Sequence, residues 1–257
     1  MTHPAPSLSL VDSDPAELAV DALVIGLHSQ PDEDGALLPA AGAESIAAAF
    51  DGRLTATLAL LGATGAPGEV TKLATLGTVA APLIVAVGLG DEPPGSAPAP
   101  ETLRRGTGAA VRALAGSESV ALALPVPDDA DAPAVLRGIL EGALLGSYRF
   151  AGYKTKPQPG RREPVKALQV VVPDAADAAA GSEVARGEAV ARAVRLTRDW
   201  VNTPRTSCAR RRSPTPWWPP PRAPAWRSRC STSSSSRPVA TAASWRSARA
   251  PRPRRGW

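Results

Sequence analysis

The first 204 residues predict an α/β domain with helices on both faces of a parallel or mixed sheet. Two observations carry this. Four short runs are almost wholly apolar, as strands covered on both faces are. Segments with helical spacing lie between those runs. A third observation bounds the domain, because composition changes abruptly at Pro204.

The elements are expected in this order. Residues 21–27, DALVIGL, form a buried strand. Residues 44–61 place Ile46, Ala49, Phe50, Leu54, Leu58 and Leu61 at helical spacing, weakened by Gly52. Residues 82–89, PLIVAVGL, form the second strand. Residues 101–114 put Leu103, Val111 and Leu114 on one side of a helix, with Arg104, Arg105 and Arg112 off it. Residues 119–124, SVALAL, form a strand closed by Pro125. Residues 133–148 carry Leu136, Ile139, Leu140, Ala143 and Leu144 on a helix. Residues 166–172, KALQVVV, form a strand closed by Pro173. A last helix runs over residues 182–201, N-capped by Ser182 and stopped by Pro204.

Charge divides the chain at the same place. The whole chain holds 29 Lys+Arg and 24 Asp+Glu, net +5. Residues 205–257 contain 13 arginines, no lysine and no acid, which leaves residues 1–204 with 16 basic and 24 acidic side chains, net −8. The basic pI of 9.8 therefore reflects the tail alone. That tail holds both cysteines, Cys208 and Cys230, five of the six tryptophans, and a single large aliphatic residue, Val239. It has too little apolar surface to offset the entropy of ordering its backbone, so residues 205–257 are expected to be disordered. The first 204 residues are long enough to bury roughly 70% of their unfolded surface. They contain no cysteine, no run of membrane-spanning length and no signal-peptide pattern in MTHPAPSLSLVDSD, so a cytoplasmic location is expected.

Residues able to carry chemistry are few. His3 lies in a proline-rich terminus, and His28 follows a strand end as a loop residue. One histidine without neighbouring cysteine has no zinc-site spacing. Asp32, Glu33 and Asp34 read as a solvated loop rather than a cation site. Gly88-Leu89-Gly90 follows a strand as a phosphate loop would, but Asp91-Glu92-Pro93-Pro94 follows in place of a third glycine and a helix start. No nucleophile elbow occurs. No catalytic, metal or cofactor-binding residue is assigned from the pattern.

Several stretches together resemble the leucyl (cytosol) aminopeptidase family. These are AFDGRLTATLALLGATGAPGEVTKL (49–73), PLIVAVGLG (82–90), TLRRGTGAAVRAL (102–114), EGALLGSYRFAGYK (141–154) and TRDWVNTP (197–204), in family order between residues 49 and 204. The last resembles the family's linker, where leucine is commoner than Trp200. The resemblance implies an αβα sandwich similar to a macro domain. In the family it precedes a catalytic domain with two divalent metals, zinc or manganese, that removes N-terminal residues from peptides. It also implies a homo-hexamer of the full-length protein. The family's metal and catalytic residues lie beyond the linker, in a region that includes Asn-Thr-Asp-Ala-Glu-Gly-Arg. This chain lacks that run, so no family site residue transfers to it.

After Asn202-Thr203-Pro204 the chain departs from the family pattern, as a one-base frameshift would produce. Tryptophan has one codon, TGG. Read one base earlier, Trp217-Trp218-Pro219-Pro220-Pro221 becomes Leu, Met or Val, then Val, Ala and two small residues, an ordinary helical fragment. The expected organisation is a flexible N-terminus (1–16), the aminopeptidase N-terminal domain (17–181), an interdomain helix and linker (182–204) and an out-of-frame tail (205–257). Two other functions compete. The arginines and tryptophans of the tail could bind nucleic acid non-specifically, and some family members bind DNA. A macro-domain-like fold could bind a small molecule, for which the Gly88–Gly90 context is poor.

Overall fold

In chain order the elements are β1 (Ser7–Val11), a 3-10 turn (Pro15–Glu17), β2 (Ala22–Gln30), β3 (Ala36–Pro39), α1 (Glu44–Ala49), α2 (Leu54–Leu60), β4 (Val70–Ala74), β5 (Leu83–Gly90), α3 (Pro100–Ala113), β6 (Ser119–Ala123), α4 (Ala132–Gly146), β7 (Ala167–Val171) and α5 (Ala178–Asn202). The computed structural model describes residues 4–30, 36–91, 98–150, 160 and 162–203. The tail expected to be disordered, 205–257, lies outside the described residues.

The sheet order is β1-β7-β6-β2-β5-β4, with β3 also paired to β2. β1, β7, β6, β2 and β5 are mutually parallel, while β3 and β4 run antiparallel to β2 and β5. This is the α/β sandwich the sequence predicts, with a mostly parallel sheet flanked by helices. β2 is buried on both faces. Ala22 and Val24 join Leu103, Val111, Ile139 and Leu140 of α3 and α4 in one core. Leu23, Ile25 and Leu27 join Ile46, Leu54 and Leu58 of α1 and α2 in the other. Alternation along one strand thus feeds two apolar layers.

Three expectations change. The N-terminus expected to be flexible over 1–16 contains β1, whose ladder runs from Ser7–Ala167 to Val11–Val171. Its alternation of serine and leucine is too short to stand out, and pairing with β7 decides it. The helix expected over 44–61 is two helices. Asp51 (φ +50°) and Gly52 (φ +72°) take left-handed backbone between them, which an α-helix cannot continue through. The last helix begins earlier than Ser182. The Asp177 carboxylate accepts from the amides of Ala179 (2.9 Å) and Ala180 (3.2 Å), and alanines carry the first turn. The Ser182 hydroxyl instead donates to Ala179 O at 2.8 Å.

Glycines set the separation of α3 and α4. A Cβ at Gly138 would lie 2.4 Å from Pro100 O, one at Gly142 2.4 Å from Arg104 O, and one at Gly146 2.8 Å from Gly108 O. Both series advance four residues at a time, so the two helices run parallel in close backbone contact. α5 is pinned to α4 by a bidentate pair. Arg137 donates from Nε and Nη2 to the buried Glu183 carboxylate at 2.7 and 3.0 Å. This hydrogen bonding holds the Glu183 carboxyl below its usual range. On the opposite edge, Lys72 of β4 donates to Ala113 O at 2.6 Å and satisfies a terminal carbonyl of α3.

Two outcomes follow for stability. Gly142→Ala gains about 1 kcal/mol of helix propensity but forces a methyl against backbone, at about 1–3 kcal/mol. A net loss is expected in urea unfolding. Gly181→Ala, on α5 with nothing within 4 Å of the added methyl, should gain about 0.5–1 kcal/mol. Loss of stability at both positions alike would contradict the close-contact account.

The second concerns Asp21, whose Oδ2 accepts from the amides of Glu118 (2.7 Å) and Ser119 (3.0 Å), tying the start of β2 to that of β6. The Ser119 amide first, then that of Glu118, holds its carboxyl below the ordinary range. A depressed carboxyl stabilises the fold above the unfolded pKa, about 3.9, and that stability is lost as pH falls through the folded value. Asp21→Asn should therefore cost about 1 kcal/mol at pH 7, an amount kept small by solvent screening. The difference from the parent chain should shrink below about pH 4. A pH-independent difference would show that the carboxylate charge is not what ties the strands.

Candidate functional site

In open α/β sheets, ligands bind beyond the carboxyl ends of the strands, where strand order reverses. Here that place lies beyond β2 and β6, since the chain crosses from β5 through α3 to β6 on the far side of β2 and continues outward to β7. Of the residues singled out from the sequence, His28 and Gly88–Gly90 lie together beside it, at the ends of the paired strands β2 and β5. His28 lies inside β2 rather than in a loop, and is 3% exposed. Its Nδ1 is 3.2 Å from Gly90 O. A carbonyl only accepts, so Nδ1 carries the proton and donates. Ser29 donates to the Asp91 carboxylate beside it.

The glycine pair is used by the chain itself. Gly68 N donates to Gly88 O, Gly88 N to Glu69 O, and Gly90 N to Gly65 O, each at 2.9 Å. A Cβ at Gly88 would lie 2.0 Å from Ala66 O. Gly88 is glycine because residues 65–69 cross directly over it, and its amide is not free to cradle a phosphate. Asp32, Glu33, Asp34 and His3 lie outside the described residues, as do Cys208 and Cys230. Among the described residues no group of three or more His, Cys, Asp or Glu side chains is placed to hold a metal ion.

Three concave surfaces among the described residues lie elsewhere, along the helices. A pocket of about 390 Å³ is lined by Ala5, Pro6, Leu144, Ala191, Arg195 and Asp199, among others. Arg195 is 7% exposed, and burial pushes its guanidinium pKa down, partly offset by Asp199. Asp199 accepts from the Tyr148 hydroxyl at 2.8 Å. Burial first, and then this bond, push the Tyr148 phenol up. A second pocket, about 200 Å³, lies between the starts of α4 and α5 and is lined by Val126, Leu136, Val172 and Asp177, among others. A third, about 160 Å³, is lined by Arg104, Arg105, Arg112, Arg198 and the glycines of the α3–α4 contact. Sequence reasoning assigned none of these side chains to a site. A signal was present for Arg195: Glu183, Gly187, Ala191 and Arg195 recur every four residues and form the buried face of α5.

No helix among the described residues is long and apolar enough to cross a membrane.

A probable cytosol aminopeptidase of Streptomyces avermitilis is 42% identical over 205 residues, covering 77% of this chain and 39% of the relative. One of Streptomyces coelicolor is 41% identical over 201 residues, covering 73% and 38%. The chain thus spans about two fifths of the length of the curated relatives it matches. A solved tomato leucine aminopeptidase mutant superposes with a TM-score of 0.61 at 20% identity, over 78% of this chain and 39% of that one, which shows a shared fold. The family model described as "Cytosol aminopeptidase family, N-terminal domain" matches residues 24–157, from β2 through α4 and beyond. The chain belongs to the cytosol aminopeptidase family, and what it carries is that family's N-terminal domain.

Proposed function

We propose that this chain is the non-catalytic N-terminal part of a metal-dependent leucyl aminopeptidase whose reading frame is lost after Pro204. The observation that carries the reading is the change of composition after Pro204 in a chain that spans about two fifths of its relatives. Similarity to the relatives covers 77% of this chain but 39% of the aminopeptidase of S. avermitilis. Within the chain, acids, lysines and large aliphatic residues nearly vanish just after the linker TRDWVNTP. A frameshift accounts for arginine, proline, serine and tryptophan rising together. On this reading residues 17–181 are the N-terminal domain, 182–204 the interdomain helix and linker, and 205–257 an unfolded out-of-frame tail.

Two divalent ions, manganese or zinc, would serve the complete enzyme by activating water for attack on the peptide bond. The described residues do not fit such a centre, and no step through it is assigned to them. In a complete enzyme the substrates would be peptides with a free N-terminus, the assembly a homo-hexamer and the location the cytoplasm.

The purified full chain is expected not to hydrolyse leucine p-nitroanilide with or without manganese or zinc. A gene with the frame restored after codon 204 is expected to yield metal-dependent turnover. Turnover by the chain as it stands, with host peptidase excluded, would overturn the reading. Limited proteolysis should trim the full chain to a product ending near Pro204; equal protection of residues 205–257 would contradict the out-of-frame tail.

A further inference from the structure

We infer that the pocket between α3, α4 and the end of α5 binds a small multivalent oxyanion of the pyrophosphate class. Four arginines, Arg104, Arg105, Arg112 and Arg198, converge on about 160 Å³ of concave surface. They do so in a domain whose first 204 residues carry net −8. The floor is made by Gly108, Gly142 and Gly146. These glycines are dictated by the close approach of α3 and α4 and leave no side chain to fill the space.

The guanidinium groups are held in place before any ligand arrives. Arg104 donates from Nε and Nη2 to Glu101, both at 2.7 Å, and Arg105 Nε donates to the same carboxylate at 2.6 Å. Those two cations hold the Glu101 carboxyl far below its usual range. Arg198 lies over the Tyr148 ring, 5.2 Å from its centroid. Its Nη1 lies 3.4 Å from Leu145 O. Among the described residues no carboxylate forms an ion pair with Arg112 or Arg198. Of the acids nearby, Glu101 is shared by two arginines, and Glu141 attracts Arg104 without a direct bond. The lining holds four arginines and no carboxylate, which leaves the pocket surface positive.

Size and screening select the ligand class. The space is below the roughly 300 Å³ of pockets that enclose drug-sized molecules, so a nucleoside is not enclosed. Arg104 is half-buried and Arg105, Arg112 and Arg198 are exposed, and one exposed ion pair is worth little. Only an anion with several charged oxygens, engaging several planar guanidinium forks together, gains enough to bind measurably.

The test titrates inorganic pyrophosphate into the full chain and follows the backbone amides of Gly108, Gly142 and Gly146 by heteronuclear NMR. These amides report this pocket and not the arginines of residues 205–257. Saturable shifts in the sub-millimolar range are expected. Arg112→Gln with Arg198→Gln should weaken binding by about tenfold, while Gln at Arg210, Arg211 and Arg212 should leave it unchanged. If the Gln pair does not fold, Arg112→Lys with Arg198→Lys keeps the charge, loses the fork and should weaken binding by about threefold. Shifts that fail to saturate at millimolar pyrophosphate, or an affinity unaltered by the folded pair variant, would overturn the inference. So would saturation of the same amides by single-stranded DNA but not by pyrophosphate.

Discussion

Burial of β2 on both faces is the constraint on which the rest of the structure depends. From Ala22 to Leu27 every residue of that strand is buried. Its backbone is bonded to β5 on one side and to β6, then β3, on the other. A strand so placed cannot leave either face to water, since each fully buried Leu, Ile or Val loses about 1.5–3 kcal/mol on exposure. Two helical layers are therefore obligatory. α1 and α2 supply one, α3, α4 and α5 the other. The hydrogen bonds from the Glu118 and Ser119 amides to Asp21 keep the strand in register where its ladder with β6 begins.

The second layer shows how packing creates surface chemistry. α3 and α4 approach until backbone meets backbone, because Gly138, Gly142 and Gly146 carry no side chain. Close approach lowers the floor of the groove between them. Polar residues that must leave the apolar side of α3, Arg104, Arg105 and Arg112, then flank that floor. The Arg137–Glu183 pair holds α5 against α4. Arg198, farther along α5, thereby comes to the same pocket.

Much of the fold was legible in the residues, and less of the sites. β2, β5 and β6 are visible because strands buried on both faces are apolar almost without interruption, and β7 is visible despite Gln169, its residues alternating between buried and half-buried. α3 and α4 are visible through their periodicity. β1 is short and draws its stability from Ala167–Val171, distant in sequence, so no local signal marks it; β3 is only four residues long and pairs with β2 just before it. Gly88-Leu89-Gly90 looked like half of a phosphate loop. Its glycines answer instead to the chain crossing at residues 65–69, a contact between segments about twenty residues apart. The Tyr148–Asp199 bond and the arginine pocket are equally invisible locally, being made by residues on different helices.

The sequence by itself determined the fold class, the covering of the sheet on both faces and the change of composition after Pro204. It also determined family membership through motifs in their proper order. These are properties of composition and period, which a linear reading registers directly. Tertiary structure alone decided where α1 yields to α2, that His28 is buried and donates to Gly90 O, and that four arginines share one concavity. The physical reason is the same in each case. Positive-φ backbone, buried hydrogen bonds and convergent charges depend on which segments meet across the sheet and between helices, and that is settled only when both faces of β2 are covered.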